Sequence, residues 1–286
     1  MRIRFSATSL QDYVDCPRRF QLRYLLELPW PALETDAPDA LEQRAQWGRD
    51  LHRLIHQHLA GLSVAPPTTA PPDSPLPAWW RSFQTFAAGW PAWRVVPEVL
   101  VSVPLAGQRV AVRYDALAWP VRPDAEGPAC VILEWKTHRR PPPRAWLGAR
   151  VQSRLYPLAL LTTGWPSPTS GQPITAADLE MWYWLAGPPA HVERFAYSPA
   201  QQEADRAYLE ALITQIAQRA AAGDADRWEL TGQEQLCAVC VYRSLCERAA
   251  AMPAADTPEM DSEEDDFPDA PGETDSGWSQ VQESVF

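Results

Sequence analysis

Glu134 and Lys136 stand two residues apart in the run Val131-Ile132-Leu133-Glu134-Trp135-Lys136-Thr137. On a strand, residues two apart leave the same face, so a carboxylate and an ammonium project together while Trp135 points the other way. Asp115, in Val112-Arg113-Tyr114-Asp115-Ala116-Leu117, ends the preceding strand-like stretch and can add a second carboxylate from a neighbouring strand. Two hard-oxygen ligands of this kind suit Mg²⁺ or Mn²⁺. Such an ion polarises a phosphoryl oxygen and lowers the pKa of bound water, while an adjacent ammonium orients that water. A cross-strand ion pair is the plainer reading of Glu-x-Lys, a short and common pattern. Composition argues for more: of 25 basic residues, 24 are Arg, and Lys136 is the lone lysine. Where Arg serves at every other basic position, the one retained Lys marks a place that needs a compact ammonium specifically.

A second chemical group is Cys237-x2-Cys240-x5-Cys246, with Cys16 at the other end of the chain as a fourth thiol. Five unevenly placed cysteines argue against a secreted disulfide framework and for metal or cluster ligation in a reducing compartment. Four thiolates suit either Zn²⁺ or a [4Fe–4S] cluster. One triplet with a lone partner favours the cluster over zinc, whose structural sites prefer two paired knuckles; unligated core thiols come third. Ligation would close a loop over almost the whole domain and restrain the unfolded chain. Cys130, inside an apolar run, reads as a buried hydrophobe.

These groups need elements to position them. Ser6 to Leu28 reads as two short helices joined at Cys16-Pro17, and Pro29, Pro31 and Pro38 mark a loop. A helix is predicted over Asp39 to Leu62, with Leu41, Ala45, Leu51, Leu54, Ile55 and Leu59 as its buried stripe. The Pro-rich segment at 64–78 is predicted to be a surface insertion. Val95 to Leu117 alternates with period two around a turn at Leu105-Ala106-Gly107-Gln108, and Val131 to Lys136 is a third strand. One amphipathic helix follows over Arg144 to Thr163, then strands near Leu179 to Leu185 and Val192 to Tyr197, a helix from Pro199 to Ala222, and a helical cysteine segment from Gln233 to Ala250. The order predicts an α/β fold, a mixed sheet flanked by helices.

The formal charge is -11, but eleven of the 36 acidic residues and no basic one lie from Ala254 onward. That leaves 25 acidic against 25 basic residues in a neutral body, expected to be one domain over 1–251, with an acidic, disordered tail over 252–286. The tail is expected to repel a polyanion or engage a protein partner. No run of eighteen apolar residues occurs and Met1-Arg2-Ile3-Arg4-Phe5-Ser6 lacks signal-peptide character, so a cytoplasmic protein with no membrane contact is predicted.

Gly48-x3-His52-x2-Ile55, Glu98, Asp115, Glu134-x-Lys136 and Gln152-x3-Tyr156, in that order, resemble the PD-(D/E)XK nuclease superfamily, specifically its RecB-like, CRISPR-associated iron–sulfur exonuclease branch. Cys16-Pro17-Arg18-Arg19-Phe20 is similar to that branch's N-terminal cluster motif. The resemblance, from Ser6 to Cys246, implies a restriction-endonuclease-like core whose terminal helical segments are joined by a [4Fe–4S] cluster on Cys16, Cys237, Cys240 and Cys246. It implies a divalent metal held by His52, Glu98, Asp115 and Glu134, with Asp115, Glu134, Lys136, Gln152 and Tyr156 as catalytic residues. His56 and His58 receive no role from it and read as solvated. The implied substrate is DNA, single-stranded or with free ends, in repair, recombination or CRISPR spacer acquisition, beside a helicase or CRISPR integration partner. Two alternatives stand: a catalytically silent iron–sulfur module binding DNA or a helicase, and a zinc-stapled scaffold.

Overall fold

The period-two alternation becomes, in the computed structural model, a long hairpin of β1 (Trp93–Leu105) and β2 (Gln108–Pro120). Ala106 and Gly107 turn it with φ of 49° and 70°, the left-handed pair that a two-residue hairpin loop requires. The structure describes residues 3–28, 38–66, 71, 73–90, 93–122, 127–138, 140–187, 189–222 and 227–248. The expected disordered tail and the loop at Pro29 and Pro31 lie outside them.

β3 (Cys130–Lys136) is buried along its whole length, runs antiparallel to β2 and pairs in parallel with β4 (Leu179–Leu185). β5 (His191–Ala196) closes the five-stranded mixed sheet, order β1-β2-β3-β4-β5. A parallel pair needs a crossover, and two helices supply it, α5 (Arg144–Ala149) and α6 (Val151–Thr162). Together with α1 (Ala7–Asp15), α2 (Pro17–Phe20), α3 (Pro38–Leu59), α4 (Leu76–Ala87) and α7 (Pro199–Ala221), they clothe the sheet. The predicted α/β class is the one observed.

Each face of the sheet has its own core. One gathers Leu10 and Tyr13 of α1, Leu155 and Leu158 of α6, and Leu209, Ile213 and Ile216 of α7 against Val112, Ile132 and Met181. The other packs Leu51 and Ile55 of α3 and Trp80 and Phe83 of α4 on Val131, Trp135 and Trp184. Phe83 meets Trp135 and Trp184 edge-on at 5.4 and 5.9 Å between centroids, a favoured aromatic geometry.

Three expectations are corrected. The helix predicted over Arg144 to Thr163 is two helices, because Arg150 is extended (φ -66°, ψ 147°) and starts α6 anew. The Pro-rich segment gives way at Leu76 to α4, whose buried Leu76, Trp79, Trp80 and Phe83 recur at helical spacing. The cysteine segment is two short 3₁₀ stretches, Glu234–Val239 and Arg243–Cys246, in place of a helix. Among the described residues no helix is long and apolar enough to cross a membrane.

The two ends of the chain meet through ordinary contacts. Trp228 stacks on Phe20 at 6.0 Å and 2° and meets Tyr13 edge-on. The Trp228 N–H donates to Gln21 Oε1 (3.0 Å), the Arg18 N–H to the Glu229 carbonyl (3.2 Å), and the Tyr242 hydroxyl to the Leu28 carbonyl (3.1 Å).

Candidate active site

Pro97 pairs with Ala116 and Val99 with Tyr114, so the β1–β2 register sets Glu98 opposite Asp115. Ala116 pairs with Leu133, so the same register continued one step sets Asp115 opposite Glu134 on β3. Three carboxylates therefore stand at one level across three adjacent strands. The level is irregular. Glu98 has φ of 49°, a left-handed conformation costing a non-glycine residue about 1–3 kcal/mol. Residues facing the α1/α6/α7 core along β2 are Val110, Val112 and Tyr114 before Asp115, but Leu117 and Trp119 after it. On β1 the same slip separates Val96 from Val99, Val101 and Val103. Both strands thus change faces together, and their pairing on either side is kept.

At this level side chains replace the backbone ladder between β2 and β3. The Trp135 N–H donates to Asp115 Oδ2 at 2.8 Å, and the Asp115 N–H points to Glu134 Oε1 at 3.5 Å. Gln152, one residue into α6, donates from Nε2 to Glu134 Oε2 at 2.7 Å. Glu134, Lys136 and Gln152 are all buried, at 1%, 4% and 6% exposure. The Lys136 ammonium lies 6.0 Å from the centre of the Tyr183 ring.

His52 reaches in from α3. Its Nε2 lies 3.0 Å from the Trp135 carbonyl, which only accepts, so this nitrogen carries a proton; Nδ1 lies 3.2 Å from Asp115 Oδ1. Burial pushes the Asp115 carboxyl up, but His52, the Trp135 N–H and Lys136 outweigh it and hold Asp115 below its ordinary value. Helix α3 comes this close because residue 48 is glycine: a Cβ there would lie 2.9 Å from Thr137 Oγ1, next to Lys136.

Of the residues singled out from sequence, His52, Asp115, Glu134, Lys136 and Gln152 come together. Glu98 shares their level but is half exposed and faces His56, whose Nδ1 is 3.7 Å from Glu98 Oε2. Tyr156 lies one turn beyond Gln152 in the core, edge-on to Tyr114 at 5.2 Å, and its carbonyl accepts from the Tyr114 hydroxyl (3.1 Å). Sequence reasoning took His56 as solvated and did not place it beside Glu98, a contact that the fold supplies. It also passed over the Trp135 backbone, whose N–H and C=O bridge Asp115 and His52.

A family model described as the PD-(D/E)XK nuclease superfamily matches residues 4–247. The chain belongs to the PD-(D/E)XK nuclease superfamily. Among solved structures the chain is similar to SSO0001, at 15% identity and TM-score 0.44 with 86% of each chain covered, and to a Eubacterium rectale protein provisionally described as an exonuclease, at 12% identity and TM-score 0.47 with 88% and 91% covered. No curated protein matches the sequence. As a PD-(D/E)XK member the protein is by class a nuclease, and such nucleases typically use Mg²⁺ or Mn²⁺.

The donors of this PD-(D/E)XK chain fit such an ion in kind. His52 donates its Nε2 proton to a backbone carbonyl, the support that metal-binding histidines usually have, and turns Nδ1 toward Asp115. Among the described residues, however, no three His, Cys, Asp or Glu side chains stand ready-made around one point for an ion. The same holds of the cysteines: among the described residues no three of them stand around one point. Burial pushes the Cys240 thiol up to about 11; Arg19 and a Tyr242 backbone bond oppose that, while Cys16 and Cys246 add to it. Cys237 is raised by burial and by the same two sulfurs, against Arg248.

Proposed function

We propose that this PD-(D/E)XK protein is a Mg²⁺- or Mn²⁺-dependent deoxyribonuclease that hydrolyses phosphodiesters at single-stranded or free DNA ends. In this reading Asp115 and Glu134 are the acidic pair and Lys136 the lysine of the superfamily name. The observation that carries it is the level of three carboxylates, where Asp115 and Glu134 displace the β2–β3 ladder beside a buried lysine.

The division of labour follows from the surroundings. Asp115 stays ionised because His52, the Trp135 N–H and Lys136 all favour its charge. Glu134 is oriented by Gln152, and Tyr156 packs the same helix onto β2. His52 and Glu98 would join Asp115 and Glu134 in holding a divalent ion, whose chemistry there would be activation of a water and neutralisation of charge on the scissile phosphate. Lys136, buried beside the acids, orients the attacking water and favours its deprotonation.

A [4Fe–4S] cluster on Cys16, Cys237, Cys240 and Cys246 belongs to the same proposal. The four sulfurs come from the first and the last described segments, and those of Cys16 and Cys246 disfavour the thiolates of Cys237 and Cys240, a cost that a cationic cluster would reverse. A place in the cytoplasm, in repair, recombination or CRISPR spacer acquisition, and beside a helicase or integration partner, rests on the sequence resemblance alone.

Cleavage of end-labelled single-stranded DNA with Mg²⁺ and with Mn²⁺ tests the reading. Wild type should cut with either ion and not with EDTA. An inactive wild type that still binds the DNA would overturn it in favour of a catalytically silent binding module.

A further inference from the structure

Gln152 can orient Glu134 only if the first turn of α6 is itself held in place. The N–H groups of a helix's first turn have no partner within the helix, and Arg150 at the N-cap offers no side-chain acceptor. The acceptor comes from far along the chain: Gln11 Oε1, on α1, takes the Val151 N–H at 2.9 Å. The other end of the same amide, Gln11 Nε2, donates to Asp15 Oδ1 at 2.7 Å. These two partners dictate which way the amide faces, since a backbone N–H only donates and a carboxylate only accepts.

Asp15 is held in turn. Arg19, 5% exposed, bridges Asp15 Oδ2 and Asp12 Oδ1, both at 2.9 Å. Arg150 approaches Asp15 Oδ2 at 3.6 Å and stacks on Trp146 at 4.6 Å. Burial works against the Arg19 charge, and Asp12, Asp15 and the neighbouring Cys240 sulfur more than offset it. A continuous chain therefore runs from Arg19 through Asp15 and Gln11 to Val151, and Val151 precedes the residue that grips Glu134.

We propose that Gln11 is a positioning residue for the catalytic carboxylate, setting the first turn of α6, and hence the Gln152–Glu134 bond, from a point anchored by Asp15 and Arg19. The assignment rests on the nuclease reading above. Gln11 acts through Gln152 and touches no substrate. Its loss misplaces Glu134 without removing any group that binds DNA, so it lowers kcat and leaves KM nearly unchanged.

The experiment uses the full chain and three variants. Gln11→Met removes both bonds. Gln11→Glu keeps an acceptor for Val151 but sets a carboxylate against Asp15. Gln11→Glu with Asp15→Asn restores the pattern in reverse, because the amide introduced at position 15 donates to the carboxylate introduced at position 11 while its oxygen still accepts from Arg19. With labelled single-stranded DNA and saturating Mn²⁺, kcat should fall about tenfold or more in both single variants with KM within about twofold, and the double variant should return to within about threefold of wild type. Hydrogen exchange at the Val151 N–H, which needs no activity, should accelerate about tenfold in Gln11→Met and return to the wild-type rate in the double variant. Wild-type kcat in folded Gln11→Met, or a double variant no better than Gln11→Glu, would overturn the proposal. If Gln11→Met does not fold, the Gln11→Glu and double-variant comparison decides. If wild type itself does not cut DNA, the nuclease reading fails, and exchange at Val151 alone decides whether Gln11 holds α6; unchanged exchange would sink that too.

Discussion

At the carboxylate level within the sheet, Glu134, Lys136 and Gln152 are buried on regular elements, and each bond to Asp115 and Glu134 comes from a side chain or N–H that such an element fixes. In the cysteine segment, Cys237 and Cys246 lie on short 3₁₀ stretches and Cys240 between them, all partly exposed and secured by a few contacts to the first helices. The first region is assembled by the apolar cores on both faces of the sheet and needs no ligand to take shape. The second has no buried residue on its 3₁₀ stretches, so its order rests on the stacking of Trp228 against Phe20 and, on the proposed reading, on a cluster held by its thiols. Loss of function should therefore follow different routes in the two regions: chemistry without unfolding in one, unfolding in the other.

The largest separation of the two should come from Lys136→Arg and Glu134→Gln. Each should lower cleavage of labelled single-stranded DNA about a thousandfold or more, as removal of several kcal/mol of transition-state stabilisation requires, with thermal melting little changed. Arg has the wrong shape for a site that holds a compact ammonium, and near-wild-type cutting by Lys136→Arg would reduce Lys136 to an ion-pair partner. Next, Cys16→Ser should lower the melting temperature of the whole domain and remove bound iron, because a cluster ligand's binding energy is also folding energy. Anaerobically purified wild type should be brown and contain iron and sulfide; a colourless, zinc-loaded, folded protein would leave the cluster without support.

A smaller effect tests the approach of α3 to the catalytic strand. Gly48→Ala should destabilise by about 1–3 kcal/mol and reduce activity, because its Cβ meets Thr137 Oγ1, and Thr137→Ala should recover most of the loss. No recovery in the double variant would locate the effect in the helix backbone. The smallest effect concerns pH. Burial raises Cys130 to about 12, so this thiol favours the folded state fully below its unfolded pKa, about 8.5, and loses that contribution as pH rises toward 12. Denaturant midpoints should thus decline above about pH 9 in wild type and less steeply in Cys130→Ala; parallel declines would assign the effect to other groups.

The strands, the hairpin turn, α7 and the pairing of Glu134 with Lys136 were legible because period-two and helical spacing are local signals. α4 carried such a signal too, in Leu76, Trp79, Trp80 and Phe83, obscured by the prolines before it. The break at Arg150 had no local signal: Arg150 is extended, and the Val151 N–H that opens α6 is met by Gln11 on another helix. The slip at Glu98 and Asp115 was equally hidden: a left-handed glutamate inside a strand is imposed by the sheet and is not preferred by the residue. Strand parity sufficed to bring Asp115, Glu134 and Lys136 together, but His56 beside Glu98 and the bridging Trp135 backbone required the fold itself.

The meeting of Phe20 with Trp228 also has a history in time. A ribosome adding about 5–20 residues per second makes position 20 roughly 10–40 s before position 228. Throughout that interval the first helices lack the indole that stacks on Phe20, and α1, which carries Gln11, has no anchor from the far segment. A nascent chain that has already made β3 thus carries Glu98, Asp115 and Glu134 but not their final setting. On the proposed reading, synthesis order itself would keep the nuclease quiet until the last described segment closes over the first.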